Sequence, residues 1–132
     1  MSKWKLSARS RRRLVGVHPD LKSVVELALK KSPFDFGITE GTRTLKRQAK
    51  LVEQKLSWTM NSRHIPGYAV DIVVYINGKV TWHGGAYTRV WKEAFEPASK
   101  ELKVPLKWGG NFKRQFDGPH FELCRRAYPN PK

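Results

Sequence analysis

Two short segments, distant from each other in the sequence, combine histidine with acidic side chains. The first carries His64 and Asp71, and the second carries Asp117, His120 and Glu122. Imidazole and carboxylate groups are good ligands for zinc, and a catalytic zinc site uses three protein ligands and leaves a fourth position to water. We therefore predict a zinc site formed by His64, Asp71 and His120. Because these ligands come from distant segments, the metal would also tie the chain together.

The acidic residues of the second segment are candidates for the base of a hydrolytic reaction. Asp117 lies three residues before His120, a spacing that would send the two side chains to opposite faces of a regular strand. Gly118 and Pro119 break that regularity, and a turn there would aim both side chains into one pocket. Asp117 could then take a proton from the attacking water while His120 binds the metal. Glu122 is the alternative base, because it shares a strand face with His120.

Helices and strands interleave along the chain. Apolar residues at helical spacing predict helices, and alternating or β-branched stretches predict strands. Pro97 lies within the last predicted helix and must kink it or begin a new turn. The predicted helices are Asp20–Lys31, Thr44–Leu56 and Tyr87–Leu102, and the predicted strands are Phe34–Thr39, Tyr68–Ile76, Lys79–Trp82, Leu106–Trp108 and Pro119–Leu123.

The connection between two of these strands decides the fold class. Asn77-Gly78 is the strongest short signal for a hairpin, and a hairpin requires an antiparallel pair. We therefore predict an α+β fold, with a small antiparallel sheet and helices packed on it. The first strand would deliver Arg43 to its end. Arg43 could also be an ordinary surface residue or form a purely structural pair with Glu40.

The size and composition fit one small domain. The chain has 132 residues, 39% of them hydrophobic, and its single cysteine excludes an internal disulfide. We predict a single domain over residues 1–132, with a basic N-terminal arm at 1–17 and a tail at 125–132. His18, beside Pro19 ahead of a helix, is interpreted as a surface residue.

The chain is strongly basic, with 26 Lys and Arg against 11 Asp and Glu and a formal net charge of +15. Such a charge attracts polyanions, which include nucleic acid, anionic membrane surfaces and cell-wall polymers. A nucleic-acid-binding protein is therefore one alternative function. It leaves the His and Asp segments unexplained, and no helix-turn-helix, zinc-finger or RNP-type signature is present in the sequence.

The two segments that carry the candidate ligands read SRHIPGYAVD and DGPHFEL. Together they resemble the paired metal motifs of the zinc DD- and LD-peptidases with the hedgehog-like fold, and specifically the phage L-alanyl-D-glutamate endopeptidases. The resemblance runs from about Asp20 to Leu123, with the elements in the same order. The two motifs are specific as a pair, whereas either one alone would be weak.

The resemblance implies a role for each site residue. His64, Asp71 and His120 would bind zinc, and Asp117 would be the catalytic base. Arg43 would hold the substrate or the oxyanion that develops during the reaction. A fixed positive group of this kind stabilises the transition state, and losing one typically costs on the order of 3 kcal/mol in the barrier.

The implied function is that of a zinc-dependent endolysin, which cleaves the L-alanyl-D-glutamate bond in the peptide stem of peptidoglycan and lyses bacterial cells. A D-alanyl-D-alanine carboxypeptidase of the same family and a zinc-stabilised module that only binds the wall are alternatives. We expect a monomer that binds peptidoglycan, contacts an anionic wall or membrane surface, and binds no specific nucleic acid. The sequence has no signal peptide, so we expect synthesis in the host cytoplasm and access to the wall after membrane permeabilisation.

Overall fold

A computed structural model describes residues 4–57, 62–113 and 115–131. Within these ranges the chain forms helices and one antiparallel sheet. A π-helical turn, Trp91–Phe95, joins α4 to α5, and a 3-10 turn, Gly109–Asn111, follows β4. The helices are α1 (Ala8–Arg13), α2 (Pro19–Lys31), α3 (Leu45–Glu53), α4 (Gly84–Val90) and α5 (Glu96–Leu102), and the strands are β1 (Asp35–Glu40), β2 (Ala69–Ile76), β3 (Lys79–Thr81), β4 (Leu106–Trp108) and β5 (His120–Leu123).

These elements confirm the predicted α+β class. Asn77 and Gly78 have positive φ angles of 52° and 77°, as a tight hairpin turn requires, and β2 pairs with β3 in antiparallel fashion. Pro97 lies in the first turn of α5, directly after the π-helical turn, in which the Glu96 N–H bonds to the Trp91 carbonyl, and the helix thus takes up the proline that the sequence predicts to disturb it. No helix in the described ranges is long and apolar enough to span a membrane.

The sheet has the strand order β1-β2-β5-β4, and β3 also pairs with β2. The first residues of β2 pair with β5 and its last residues pair with β3, so β2 is the central strand of the sheet. β1 runs along the other edge of β2. This arrangement brings β2, from the middle of the chain, next to β5, close to the C-terminus.

One face of the sheet forms the core with the helices. Val70, Ile72 and Val74 of β2 and Phe121 and Leu123 of β5 belong to a single buried cluster with residues of α2, α4 and α5. Side chains alternate between the faces of a strand. The residues between these core positions therefore point to the opposite face, where the candidate site lies.

The basic N-terminal segment packs against the domain. It forms α1, and Leu14 and Val17 behind this helix are buried in the core. The Ser10 hydroxyl accepts a hydrogen bond from the Ile38 N–H at 2.9 Å, and the Arg13 guanidinium donates to the Ile38 carbonyl at 2.9 Å. The segment thus covers the edge of β1. Its arginine side chains are exposed, whereas its buried residues pack against the domain.

The C-terminal tail also packs against the domain, and it corrects the interpretation of His18. The His18 ring contacts the rings of Tyr68 and Tyr128 edge-to-face, and its Nδ1 accepts from the Asp20 N–H at the start of α2. The Tyr128 hydroxyl donates to Asp20 at 2.6 Å, and this bond raises the pKa of Tyr128 to about 12. His18 is therefore a helix cap within an aromatic cluster that holds the tail.

Candidate metal centre and active site

The register of the sheet places Asp71 at the centre of the site. Asp71 of β2 lies opposite Glu40 of β1 on one side and opposite His120 of β5 on the other. Its neighbours Val70 and Ile72 point into the core. The carboxylate therefore faces away from the core that the sheet forms with α2, α4 and α5, on the same face as the side chain of His120.

His64 reaches this face from the turn that precedes β2. Its carbonyl accepts hydrogen bonds from the N–H groups of Arg43 at 2.9 Å and Gly67 at 3.1 Å. Gly67 has a φ of 78°, and a Cβ atom there would collide with the Gly16 carbonyl, so the turn requires glycine. His64 is buried as a result, and its ring is held next to Asp71.

Three possible ligand atoms converge at this position. His64 Nε2 lies 3.3 Å from Asp71 Oδ2, and His120 Nδ1 lies 3.0 Å from Asp71 Oδ1. One ligand atom from each residue can be chosen so that all of them lie within 4.8 Å of one another. Two imidazole nitrogens and a carboxylate oxygen at this spacing form a group that could hold a divalent metal ion.

The second nitrogen of each imidazole has its own acceptor. His64 Nδ1 lies 2.8 Å from the Gly41 carbonyl oxygen, and His120 Nε2 lies 2.9 Å from Glu122 Oε1. Because a carbonyl only accepts, His64 Nδ1 must carry the hydrogen, which leaves Nε2 free as a ligand. A carbonyl or carboxylate behind the ring is the usual way in which proteins orient a metal-binding histidine. These residues therefore fit a metal ion.

The contacts also change the proton affinity of the ligands. Burial disfavours the charged form of Asp71, but hydrogen bonds from His120 and His64 outweigh burial and hold the pKa of Asp71 well below its usual range. Burial likewise opposes the charge on His120, yet hydrogen bonds to Asp71 and Glu122 raise the pKa of His120 to about 10. A metal ion that used His120 as a ligand would have to displace this proton, so its affinity would fall as the pH is lowered.

Asp117 lies on the wall of the same cavity, which has a volume of about 440 Å³. The chain turns at Gly118-Pro119, as predicted, and the Asp117 carbonyl accepts from the His120 N–H at 3.1 Å. A Cβ atom on Gly109 would collide with this carbonyl, so glycine lets the two loops approach each other. Burial raises the pKa of the Asp117 carboxyl, which makes it a stronger base than an ordinary aspartate.

Glu122 lies behind His120 and is 5% exposed. Its carboxylate accepts from His120 Nε2 and lies 3.6 Å from the Nε atom of Arg63. Burial would raise the pKa of Glu122, but the hydrogen bond from His120 outweighs burial and lowers it. A carboxylate held in this way remains charged and orients the imidazole.

Arg43 lines the cavity and is also paired with Glu40, so the two interpretations of Arg43 from the sequence are compatible. Its Nε and one terminal nitrogen donate to the two oxygens of Glu40 at 2.7 and 2.6 Å. The other terminal nitrogen donates to Gln48 Oε1 at 2.7 Å and to the Ser62 hydroxyl at 3.3 Å. The guanidinium is therefore a fixed positive group at the cavity wall.

Two residues of the site were not found from the sequence. Arg63 is 2% exposed, and its terminal nitrogens donate to Asn130 Oδ1 at 2.6 Å and to the Leu123 carbonyl at 2.8 Å. Gln48 of α3 is fully buried, and its Oε1 accepts from Arg43. Gln48 and Leu51 share a face of α3, so helical periodicity could have indicated Gln48, whereas no pattern in the sequence indicates a buried Arg63.

Comparison with known proteins places this site in a family. A family model described as phage L-alanyl-D-glutamate peptidase matches residues 1–124. The L-alanyl-D-glutamate peptidase of Escherichia phage T5 is 36% identical over 128 residues, which cover 95% of this chain and 93% of that protein. The chain belongs to the phage L-alanyl-D-glutamate peptidase family. This confirms the family, and with it the peptidase class, that the two motifs predict.

Two further relatives agree with this assignment. The L-alanyl-D-glutamate peptidase of Listeria phage A118 is 34% identical over 91 residues, which cover 69% of this chain and 31% of that protein. The crystal structure of the L-Ala D-Glu endopeptidase ChiX of Serratia marcescens superposes with a TM-score of 0.89 at 40% identity, covering 96% of this chain and 95% of that one. The family match also includes the N-terminal segment, which the resemblance inferred from Asp20 onward did not.

Proposed function

We propose that this protein is a zinc peptidase that hydrolyses the bond between L-alanine and D-glutamate in the peptide stem of peptidoglycan. One observation carries this proposal. His64, Asp71 and His120 converge beside Asp117 in one cavity, in a chain whose relatives are L-alanyl-D-glutamate peptidases. Converging ligands with a carboxylate next to them are what metal-assisted amide hydrolysis requires.

The donor set favours zinc among the common metal ions. Two imidazole nitrogens and one carboxylate oxygen are typical of catalytic zinc sites, whereas magnesium and calcium prefer oxygen ligands. When bound, zinc supplies a Lewis acid that activates water and polarises the scissile carbonyl. The hydrogen bonds from His64 to Gly41 and from His120 to Glu122 keep both rings in the orientation that binding needs.

The other side chains of the cavity supply proton transfer, charge stabilisation and orientation of a ligand. Asp117, whose pKa is raised by burial, accepts the proton of the attacking water and passes it to the leaving amine. Arg43, fixed by Glu40, presents positive charge to the oxygen of the carbonyl as it becomes negative. We assign Glu122 to the orientation of His120 rather than to proton transfer, because its oxygens face His120 and Arg63.

Digestion of purified peptidoglycan by the wild type and by Asp117→Ala tests the function. We expect new L-alanine C-termini and D-glutamate N-termini, identified by mass spectrometry, from the wild type alone. Release of terminal D-alanine instead would support the carboxypeptidase alternative. An active Asp117→Ala variant would remove the assignment of the base. Steeply salt-dependent DNA binding by a zinc-free preparation would favour the nucleic-acid alternative.

The predicted contact with an anionic surface also belongs to this proposal. A cavity of about 520 Å³ lies between α2 and the N-terminal segment and shares no lining residue with the active-site cavity. Its rim is rich in basic side chains and its floor is apolar, as suits the phosphates of a membrane or wall. We expect salt-sensitive binding to vesicles that contain phosphatidylglycerol and none to neutral vesicles. The rim carries Lys5, Arg11, Lys22, Glu26 and Lys30.

We further propose that the protein acts as a monomer, on the cell wall, once the membrane has been permeabilised. The catalytic residues all come from one chain, so the proposed chemistry needs no second copy. Analytical ultracentrifugation of active protein should give the mass of a single chain, 15.3 kDa. A stable dimer that loses activity on dilution would contradict this part of the proposal.

A further inference from the structure

Three arginine residues of the described ranges line the active-site cavity, and they differ in how far their guanidinium groups are already bound. Arg43 donates to Glu40, Gln48 and Ser62, and its side chain is 9% exposed. The side chain of Arg63 is 1% exposed and donates to a backbone carbonyl and to an amide side chain. Both groups are held in place by the protein itself.

Arg125 is different. Its side chain is 55% exposed at the cavity wall, and its ion pair is a long one, with Nε 3.8 Å from Glu122 Oε2. No hydrogen bond of its guanidinium to another described residue accompanies this pair. Glu122 already accepts from His120 and lies beside Arg63. The guanidinium of Arg125 therefore keeps donors free for an incoming group, within reach of the residues around the metal ligands.

The charge of the cavity indicates what that group is. Among the described residues that line the cavity, four are acidic and three are arginines, and with a protonated His120 these charges balance. A divalent cation that displaces this proton would leave one positive charge. A planar guanidinium with free donors is suited to a carboxylate. The metal-loaded cavity thus favours a substrate with negative charge.

The proposed substrate supplies such a group next to the scissile bond. A glutamate residue within a peptide uses one carboxyl group to continue the chain, and the other remains free. In the L-alanyl-D-glutamate bond, this free carboxylate belongs to the residue whose nitrogen is the leaving amine. When the carboxylate is amidated to D-isoglutamine, the charge disappears while the shape is nearly preserved.

We propose that Arg125 forms a carboxylate-binding subsite, which recognises the free carboxylate of the D-glutamate residue on the leaving side of the scissile bond. This inference rests on the proposed function. Arg125 is here a specificity residue and takes no part in the bond cleavage. Since a charged hydrogen bond is strong but this side chain is partly exposed, the acidic substrate should be favoured about tenfold in kcat/KM.

Two synthetic stem peptides, identical except for D-glutamate or D-isoglutamine after L-alanine, provide the test. The wild type should cleave the acidic peptide about tenfold more efficiently, mainly through a lower KM. Arg125→Gln should lose this advantage and cleave both peptides as the wild type cleaves the amidated one. Arg126→Gln is the matched control, because Arg126 is exposed, adjacent, and not part of the cavity wall. Arg125→Lys keeps the charge and should recover part of the preference.

The outcomes separate the subsite from the proposed function. If the wild type cleaves both peptides equally, or if Arg125→Gln keeps the preference for the acidic peptide, the subsite is wrong and the peptidase function stands. If Arg125→Gln slows both peptides to the same extent at full zinc content, Arg125 has a structural role instead. If the wild type cleaves neither peptide, the proposed function fails and the subsite with it.

Discussion

Replacement of Glu122 by glutamine should weaken metal binding without removing the catalytic base. Glu122 Oε1 lies 2.9 Å from Nε2 of His120, whose other nitrogen faces Asp71. Glutamine keeps the size of the side chain but removes the negative charge that makes the imidazole a better ligand. Loss of such a carboxylate behind a metal-binding histidine typically costs 10- to 100-fold in affinity, or about 1.4 to 2.7 kcal/mol.

The same substitution should lower the stability of the metal-free protein. Glu122 lies 3.6 Å from the Nε atom of Arg63, whose side chain is 1% exposed. Without the carboxylate, the buried guanidinium loses its nearest negative charge. Because the distance exceeds that of a hydrogen bond, we expect the low end of the usual range, about 1 kcal/mol, which corresponds to a fall of about 4 °C in Tm.

Competition with a chelator gives the zinc affinity of Glu122→Gln, and digestion of peptidoglycan at saturating zinc gives its activity. We expect weakened affinity and nearly full activity once zinc saturates. Asp117→Asn is the comparison, with unchanged zinc affinity and a kcat lower by about 10²- to 10⁴-fold. A Glu122→Gln protein that holds zinc normally and is inactive at saturation would refute this reasoning and make Glu122 the base.

Four further predictions follow from the geometry. Removal of the metal by a chelator should abolish activity and lower the Tm measured by calorimetry. Zinc at about a thousandfold excess over its Kd should restore about 4 kcal/mol to the free energy of unfolding. An unchanged Tm would contradict a bound metal. In the metal-free protein, burial raises the pKa of the Asp117 carboxyl above its value in the unfolded chain. Ionisation of Asp117 therefore lowers the free energy of unfolding as the pH rises. Asp117→Asn should raise the Tm at neutral pH, and this increase should disappear in acid. Gly41→Ala should cost about 3 kcal/mol in urea unfolding, because its Cβ atom would collide with a backbone carbonyl at the end of α1 and displace the acceptor of His64. Tyr128→Phe should lose about 1 kcal/mol with the hydrogen bond to Asp20 and leave kcat unchanged, and a large loss of activity would show that the tail shapes the site.

The sequence identified the residues of the site whose chemistry is unusual. Two histidines and an aspartate in these two motifs indicate a metal-binding site. Glycine and proline interrupt a strand, so Gly118-Pro119 predicts a turn. The structure brings His64, Asp71 and His120 together as that prediction requires.

The sequence does not indicate residues whose role depends on hydrogen bonds to distant parts of the chain. Arg63 looks like any basic residue of a chain with a charge of +15, and only the folded chain brings Asn130 and the Leu123 carbonyl to it. The packing of the N-terminal segment is hard to predict for a related reason. Its arginines dominate the pattern, whereas the buried positions Ser10 and Leu14 are few and widely spaced.

The alternation of β5 links the metal site to the correct pairing of the sheet. His120 and Glu122 face the site, whereas Phe121 and Leu123 face the core. If β5 slipped by one residue along β2, phenylalanine would replace histidine on the site face and the ligand set would vanish. A metal ion bound to these residues would therefore stabilise only the native pairing, and it would widen the free-energy gap between the native sheet and its nearest misfolded competitor.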